Sequence, residues 1–269
     1  MLTRIITAIV AIAAFVAVLL IGEKAFLIAL GIVILCMIYE STHIMTRSPI
    51  VKAVAYIDAV LIFLGTTVFA APGFFVFLAV GLLMLITVLL HGKSDHKEIF
   101  AVGLMTLYIS LSMSHAMLTM TKYGNVCMLL IFISAWSSDT GAYFAGSFLG
   151  KHKLIPHVSP KKTVEGSIGG LIAAMLCCQL LIFIVQRIGI ETPLFKGLTG
   201  FLIAGGIGIA ASAISQIGDL VASAVKRDCG VKDYGKLFPG HGGMMDRFDS
   251  VILVAPFVYY ILGIIARVV

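Results

Sequence analysis

Charge is what this sequence has least of: of 269 residues only 12% are charged, 60% are hydrophobic, and mean hydropathy is +1.10. A soluble domain carries about twice that charged fraction, so the composition excludes a water-soluble globule and indicates a chain dissolved in lipid. Cysteine is scarce too. The five, at 36, 127, 177, 178 and 229, form no Cys-x-x-Cys, and four lie in apolar runs, which leaves no disulfide or zinc framework. The apolar runs are continuous rather than alternating, so a closed β-barrel is excluded. A single tryptophan, Trp136, fits an interfacial or packing role better than base stacking. The net charge of +6 then calls for lysines and arginines gathered on one membrane side near anionic lipid or an anionic substrate, not for nucleic acid.

What is present is spanning sequence. Apolar runs occur at about residues 4–22, 25–42, 51–70, 73–91, 99–120, 125–147, 164–187, 198–225 and 248–267. They predict an all-α fold, a polytopic membrane helical bundle of about nine transmembrane helices. The first run has no small-residue cleavage site before Gly22-Glu23-Lys24, so it reads as a helix rather than a signal peptide. Fourteen of the 19 basic residues fall at the N-terminus and after runs 2, 4, 6 and 8, and five fall on the other side. The positive-inside rule therefore predicts a cytoplasmic N-terminus and an outside C-terminus in the cell inner (cytoplasmic) membrane. Residues 1–122 hold about five generic helices; residues 123–269 hold about four more with two longer polar loops, 148–163 and 226–246, on the cytoplasmic side.

The chemistry gathers in the second part. In the eighth run Ser212, Ser215, Gln216, Asp219, Ser223 and Lys226 fall within an arc of about 100°, a polar stripe on an apolar helix. The serines suit a hydrogen-bonding seam between helices as well as they suit a wet cavity. Asp219 is different, because an ionised carboxylate in a membrane needs a cation. The segment that follows places Lys226, Arg227, Lys232 and Arg247 among Asp246, Asp249 and a Pro239-Gly240-His241-Gly242-Gly243 turn. Glycines there allow tight turns and close approach of amides to an anion. Asp246, Asp249 and Ser250 share one face of the ninth helix by spacing; the helix dipole would favour acids there regardless of function. Carboxylates beside lysines and arginines make a site for Mg²⁺ and a triphosphate, and Asp219 and Asp246 can close on one ion if helices 8 and 9 are neighbours. Asp139 is an intramembrane acid among Ser137, Ser138 and Thr140, either functional or a lysine's partner in a seam. Ser159-Pro-Lys161-Lys162-Thr163 precedes the seventh helix, where its lysines suit phosphate oxygens or ordinary membrane anchoring. Gly166, Gly169 and Gly170 suit close helix packing or a homodimer. Asp58, placed near the start of the third helix, needs no more than a capping or bundle contact.

The run Ser223-x-x-Lys226-Arg227-x4-Lys232-Asp233-x5-Pro239-x-His241-Gly242-Gly243-x-x-Asp246-Arg247-x-Asp249 resembles the signature of the phosphatidate cytidylyltransferase (CDP-diacylglycerol synthase) family. Trp136-Ser-Ser138-Asp139-Thr140-Gly-Ala142-Tyr143 and Ser159-Pro-Lys-Lys-Thr163-Val-Glu165-Gly166 resemble family blocks as well, so the likeness covers residues 136–250 in three pieces. It implies a bacterial enzyme that turns CTP and phosphatidic acid into CDP-diacylglycerol and pyrophosphate in phospholipid biosynthesis. On that resemblance Asp219, Asp246 and Asp249 are the expected Mg²⁺ ligands, with a second cation conceivable. Asp219, Lys226, Asp246 and Asp249 are the expected catalytic group. Asp139, Lys161, Lys162, Thr163, Ser223, Arg227, Lys232, Gly240, His241, Gly242, Gly243 and Arg247 are expected around the substrate phosphates. A CTP-dependent polyprenol or dolichol kinase shares features of the C-terminal region, and an ion-coupled transporter would use Asp139 and Asp219 as coupling acids. No internal repeat supports the transporter, and the pattern of a CDP-alcohol phosphotransferase is absent.

Overall fold

The computed structural model describes residues 2–93, 95–238, 240 and 242–268, with side chains at residue 7 and from residue 9 onward. Pro239 and His241 lie outside the described residues, and so does the expected phosphate contact of His241. Among the described residues there are nine helices: α1 Leu2–Ile21, α2 Glu23–Met45, α3 Pro49–Thr67, α4 Pro72–Leu89, α5 His96–Tyr123, α6 Asn125–Leu149, α7 Val164–Arg187, α8 Gly197–Asp228 and α9 Met245–Ile265. Eight of them, α2 to α9, are long and apolar enough to cross a bilayer, and α1 carries a shorter apolar stretch at Ile9–Ile21. The molecule is a polytopic helical membrane protein.

Its surface has the inverted pattern that lipid imposes. α4 buries only Ala79 and Leu83 in the protein, while Phe74, Phe77, Leu85 and Val88 stand exposed. In water such a face would demand a partner; in hydrocarbon it is already in its preferred solvent. Polar groups are mostly drawn inside, as with Ser110, Ser114, Ser138, Ser212 and Ser215. Helix starts follow local chemistry. Ser48 accepts from the Val51 amide ahead of Pro49, and Thr163 accepts from the Gly166 amide at the head of α7.

The chain forms two compact units. The first comprises Met1–Met117 and Asp228–Phe248, the second Leu118–Arg227 and Asp249–Val269. In the first, Phe26, Leu30, Ile34, Met37 and Ile38 recur at helical spacing on the buried face of α2. Asp58, expected near a helix start, sits mid-way along α3 and is buried, so capping does not explain it. In the second unit α6 and α7 approach closely. No Cβ fits at Gly141 against Ala173 or at Gly169 against Ala145, and one at Gly166 would lie 2.8 Å from the Ala142 carbonyl. The small residues of 166–170 are thus used in packing within the chain.

The 148–163 segment, expected to be loop throughout, contains a two-stranded antiparallel hairpin, β1 Lys153–Ile155 and β2 Ser159–Thr163, with Lys153 opposite Thr163. Its lysines, prolines and histidines give no apolar alternation from which strands would be predicted. Glu165 secures its base by accepting from the amides of Lys151 and His152, 3.0 and 3.2 Å away, and pairing with the His152 ring.

Candidate functional site

In the second unit four elements bring charges together. β2 supplies Lys162, whose Nζ stands 2.5 Å from Asp219 Oδ2 on α8. Strand alternation separates the two neighbouring lysines: Lys161 is exposed, whereas Lys162 is half-buried and turned to the acid. Ser223, one turn beyond Asp219, donates its hydroxyl to Asp219 Oδ1 at 3.3 Å. α6 supplies Asp139, whose Oδ2 accepts from Ser250 Oγ of α9 at 3.0 Å. Beside Ser250 is Asp249, buried, with Oδ1 on the Ser250 amide at 2.8 Å. The carboxylates of Asp219 and Asp139 act on Asp249 as like charges and Lys226 as an opposite one. Gly218 lets α8 and α9 approach here, since a Cβ would come within 2.8 Å of the Asp249 carbonyl.

Thus Asp139, Lys162, Asp219, Ser223, Lys226 and Asp249, all expected from sequence, form one cluster. The remaining polar stripe of α8 is a seam. Ser212 Oγ meets Ser138 Oγ at 2.7 Å, and Gln216 donates to the Ser167 carbonyl at 3.1 Å while accepting from that serine's hydroxyl. Thr163, expected at a phosphate, spends its hydroxyl oxygen as the α7 cap and is buried. Arg227 is exposed.

The other expected residues belong to the first unit and its 228–248 segment. Asp246 Oδ2 accepts from the Tyr234 amide at 2.9 Å and the Gly243 amide at 3.0 Å. The turn between is closed by the Phe238 amide on the Gly242 carbonyl, 2.9 Å, with Gly240 and Gly242 at φ of 79° and 85°. Those left-handed values are the reason for glycine at both positions. Lys232 and Arg247 are exposed. Sequence reasoning missed Glu40. Placed on α2 and 4% exposed, it accepts from the Met244 amide through Oε1 at 2.9 Å and from the Met245 amide through Oε2 at 2.8 Å. α9 begins with no Ser, Thr, Asp or Asn at its cap, so Glu40 fulfils the capping role from another helix. Gly235 and Gly243 lie so near Glu40 that neither has room for a Cβ. The only sequence signal was an acid within the apolar run 25–42.

Among the described residues no three His, Cys, Asp or Glu side chains already enclose a metal position. The donor chemistry of the second unit nevertheless suits a hard divalent cation. Three carboxyl groups, Asp139, Asp219 and Asp249, face two lysines, Lys162 and Lys226, an oxygen-rich set in a partly dehydrated place.

Comparison with known proteins identifies the family of the chain. The sequence model of the cytidylyltransferase family matches residues 2–265. A phosphatidate cytidylyltransferase of Bacillus subtilis (strain 168) is 38% identical over 188 residues, 69% of this chain and 66% of that protein. Phosphatidate cytidylyltransferases of Haemophilus influenzae and Staphylococcus saprophyticus are 44% and 47% identical over 138 and 129 residues, about half of this chain and 46% of each relative. The chain thus spans just under two thirds of the Bacillus protein's length and about half of the other two. A match from residue 2 to residue 265 takes in all nine helices and both charged segments, and the chain belongs to the cytidylyltransferase family.

Proposed function

We propose that this membrane protein transfers the cytidylyl group of CTP to phosphatidic acid, giving CDP-diacylglycerol and pyrophosphate on the cytoplasmic side of the cell membrane. The observation that carries the reading is the cluster of Asp139, Asp219, Lys226 and Asp249 on membrane helices with Lys162 on the β1–β2 hairpin. A phosphate oxygen of phosphatidic acid attacks the α-phosphorus of CTP. The bond from that phosphorus to the oxygen bridging toward the β-phosphorus breaks, and that oxygen leaves with the pyrophosphate. The nucleophile is already an anion, so no dedicated base is required. The barrier lies in bringing two anions together and in the charge on the leaving group.

Lys162 and Lys226 are the fixed cations for those charges. Asp219 and Asp249 would hold the Mg²⁺, with Asp139 next to them. Once bound, the metal would offset charge on the triphosphate and on the departing pyrophosphate. For Asp246 a ligand role rests on the sequence alone; in the structure its Oδ2 orders the 234–243 segment. Ser223 holds Asp219 in orientation.

The test is a purified, detergent-dispersed protein given phosphatidic acid, Mg²⁺ and CTP labelled at the α-phosphorus. Label entering the lipid fraction, and lost when EDTA removes the metal, is the expected result. Label transferred only from the γ-phosphorus, to a polyprenol, would replace the reading with a lipid kinase. No transfer from either position in folded protein would reject both.

A further inference from the structure

Ser250 lies in the second turn of α9 and is 1% exposed, on a helix long and apolar enough to cross the membrane. The nearest partner for a serine or threonine hydroxyl inside such a helix is the carbonyl one turn back. Thr106 and Ser114 on α5 and Ser137 on α6 all take it. Those bonds are local and hold no second element. Ser250 instead reaches across to α6, where its Oγ donates to Asp139 Oδ2 at 3.0 Å. Its amide meets Oδ1 of its own neighbour, Asp249, at 2.8 Å. One residue thus engages an oxygen on each of two acids carried by two helices.

The two acids do not favour this closeness. Asp139 and Asp249 act on each other as like charges. Without a tether, that repulsion favours a rotamer turning the Asp139 side chain away from α9. The backbone of α6 is already fixed at this level, because Ser138 Oγ meets Ser212 Oγ of α8 at 2.7 Å. What the Ser138 bond leaves open is the direction of the neighbouring carboxyl group, and the Ser250 hydroxyl sets it. A partner behind a cation's ligands acts in this way, and its loss typically costs roughly 10- to 100-fold in metal affinity or activity.

We propose that Ser250 is a positioning residue, which holds the carboxyl group of Asp139 beside that of Asp249 so that both face one divalent cation. It rests on the cytidylyl-transfer reading only in taking that cation for the metal of the reaction.

The experiment uses the full chain in detergent, with Mn²⁺ as the probe and the electron paramagnetic resonance of free Mn²⁺ as the readout. Ser250→Ala should weaken Mn²⁺ binding about tenfold, and Asp139→Asn by at least as much. The double variant should bind no more weakly than Asp139→Asn alone, because the serine acts through that acid. In turnover, Ser250→Ala should lower kcat about tenfold and leave KM for phosphatidic acid unchanged. A hydroxyl that only joins two helices would lower the unfolding midpoint of Ser250→Ala and leave its Mn²⁺ affinity in place, and that result would overturn the proposal. Losses that multiply in the double variant, or a parent protein that binds no Mn²⁺, would overturn it as well. Absence of cytidylyl transfer by a parent protein that does bind Mn²⁺ would reject the catalytic reading alone, and the Mn²⁺ affinities would still decide the role of Ser250.

Discussion

At the scale of single residues, the buried carboxylates do two different jobs. Glu40 is structural. It satisfies two amides that otherwise begin a helix with no partner, inside a membrane protein where water cannot substitute. Glu40→Ala leaves both orphaned, and each unsatisfied buried donor costs about 1–3 kcal/mol. The expected outcome is a clear fall in the thermal unfolding midpoint in detergent, together with proteolysis within 229–244. Glu40→Gln keeps an acceptor for one amide and should fall in between. A midpoint equal to that of the parent protein in Glu40→Ala would mean the two hydrogen bonds carry no stability. Asp219 is the opposite case. Its partners Lys162 and Ser223 are half-exposed or local, so Asp219→Asn removes charge with little loss of packing. Cytidylyl transfer should be abolished while the unfolding midpoint moves little. Full turnover in folded Asp219→Asn would sink the proposed metal role.

At the scale of elements, the β1–β2 hairpin and α7 act as one bracket for Lys162. Thr163 ends β2 and caps α7, so a single residue sets both the strand's last side chain and the helix's first turn. Thr163→Ala should cost about 1 kcal/mol through the lost cap. Because the hydroxyl faces the Gly166 amide, the expected signature is a lower unfolding midpoint with KM for CTP altered less than by Lys162→Ala. A larger effect of Thr163→Ala than of Lys162→Ala on KM would assign the hydroxyl to substrate instead. This bracket also shows where sequence reading stops. α7 was expected at 164–187 and occurs at Val164–Arg187, because hydrocarbon rewards apolar length so heavily that hydropathy alone marks the helix. The hairpin was not legible, since residues 153–163 are polar, carry two prolines and follow no period. Strand geometry is what distinguishes Lys162 from Lys161, so that distinction was hidden as well. Asp139, Asp219 and Asp249 were legible because an acid in an apolar run is costly and calls for a reason. By the same logic Glu40 was visible as an anomaly, but its partners lie 204 and 205 positions away and no local pattern points to them.

At the scale of the whole molecule, the open quantity is how many times the chain crosses the membrane. α1 is 20 residues long, about 30 Å at 1.5 Å per residue, which is enough to span hydrocarbon. Crossing by α1 makes nine passages and puts residues 1 and 269 on opposite sides. Without it there are eight, and the two ends share a side. The two differ in the side of one basic residue, Arg4, a split of 14 to 5 with nine passages against 13 to 6 with eight. With nine passages, 14 of 19 lysines and arginines lie on the side of residue 1, Lys162, Lys226, Lys232 and Lys236 among them. CTP and its metal are available in the cytoplasm, so the same sidedness serves the proposed reaction and the positive-inside rule together. A reporter active only outside the cytoplasm, fused after residue 269, should therefore be active, and one fused within 150–158 inactive. A fluorescent protein that matures only inside should give the reverse pair. The same reporters fused ahead of residue 2 test α1: the result given by the fusion within 150–158 means that α1 crosses, and the opposite result means that it does not. Moving Lys151 and Lys153 to Gln alone should leave the orientation in place, because 12 of the remaining 17 basic residues would still lie inside.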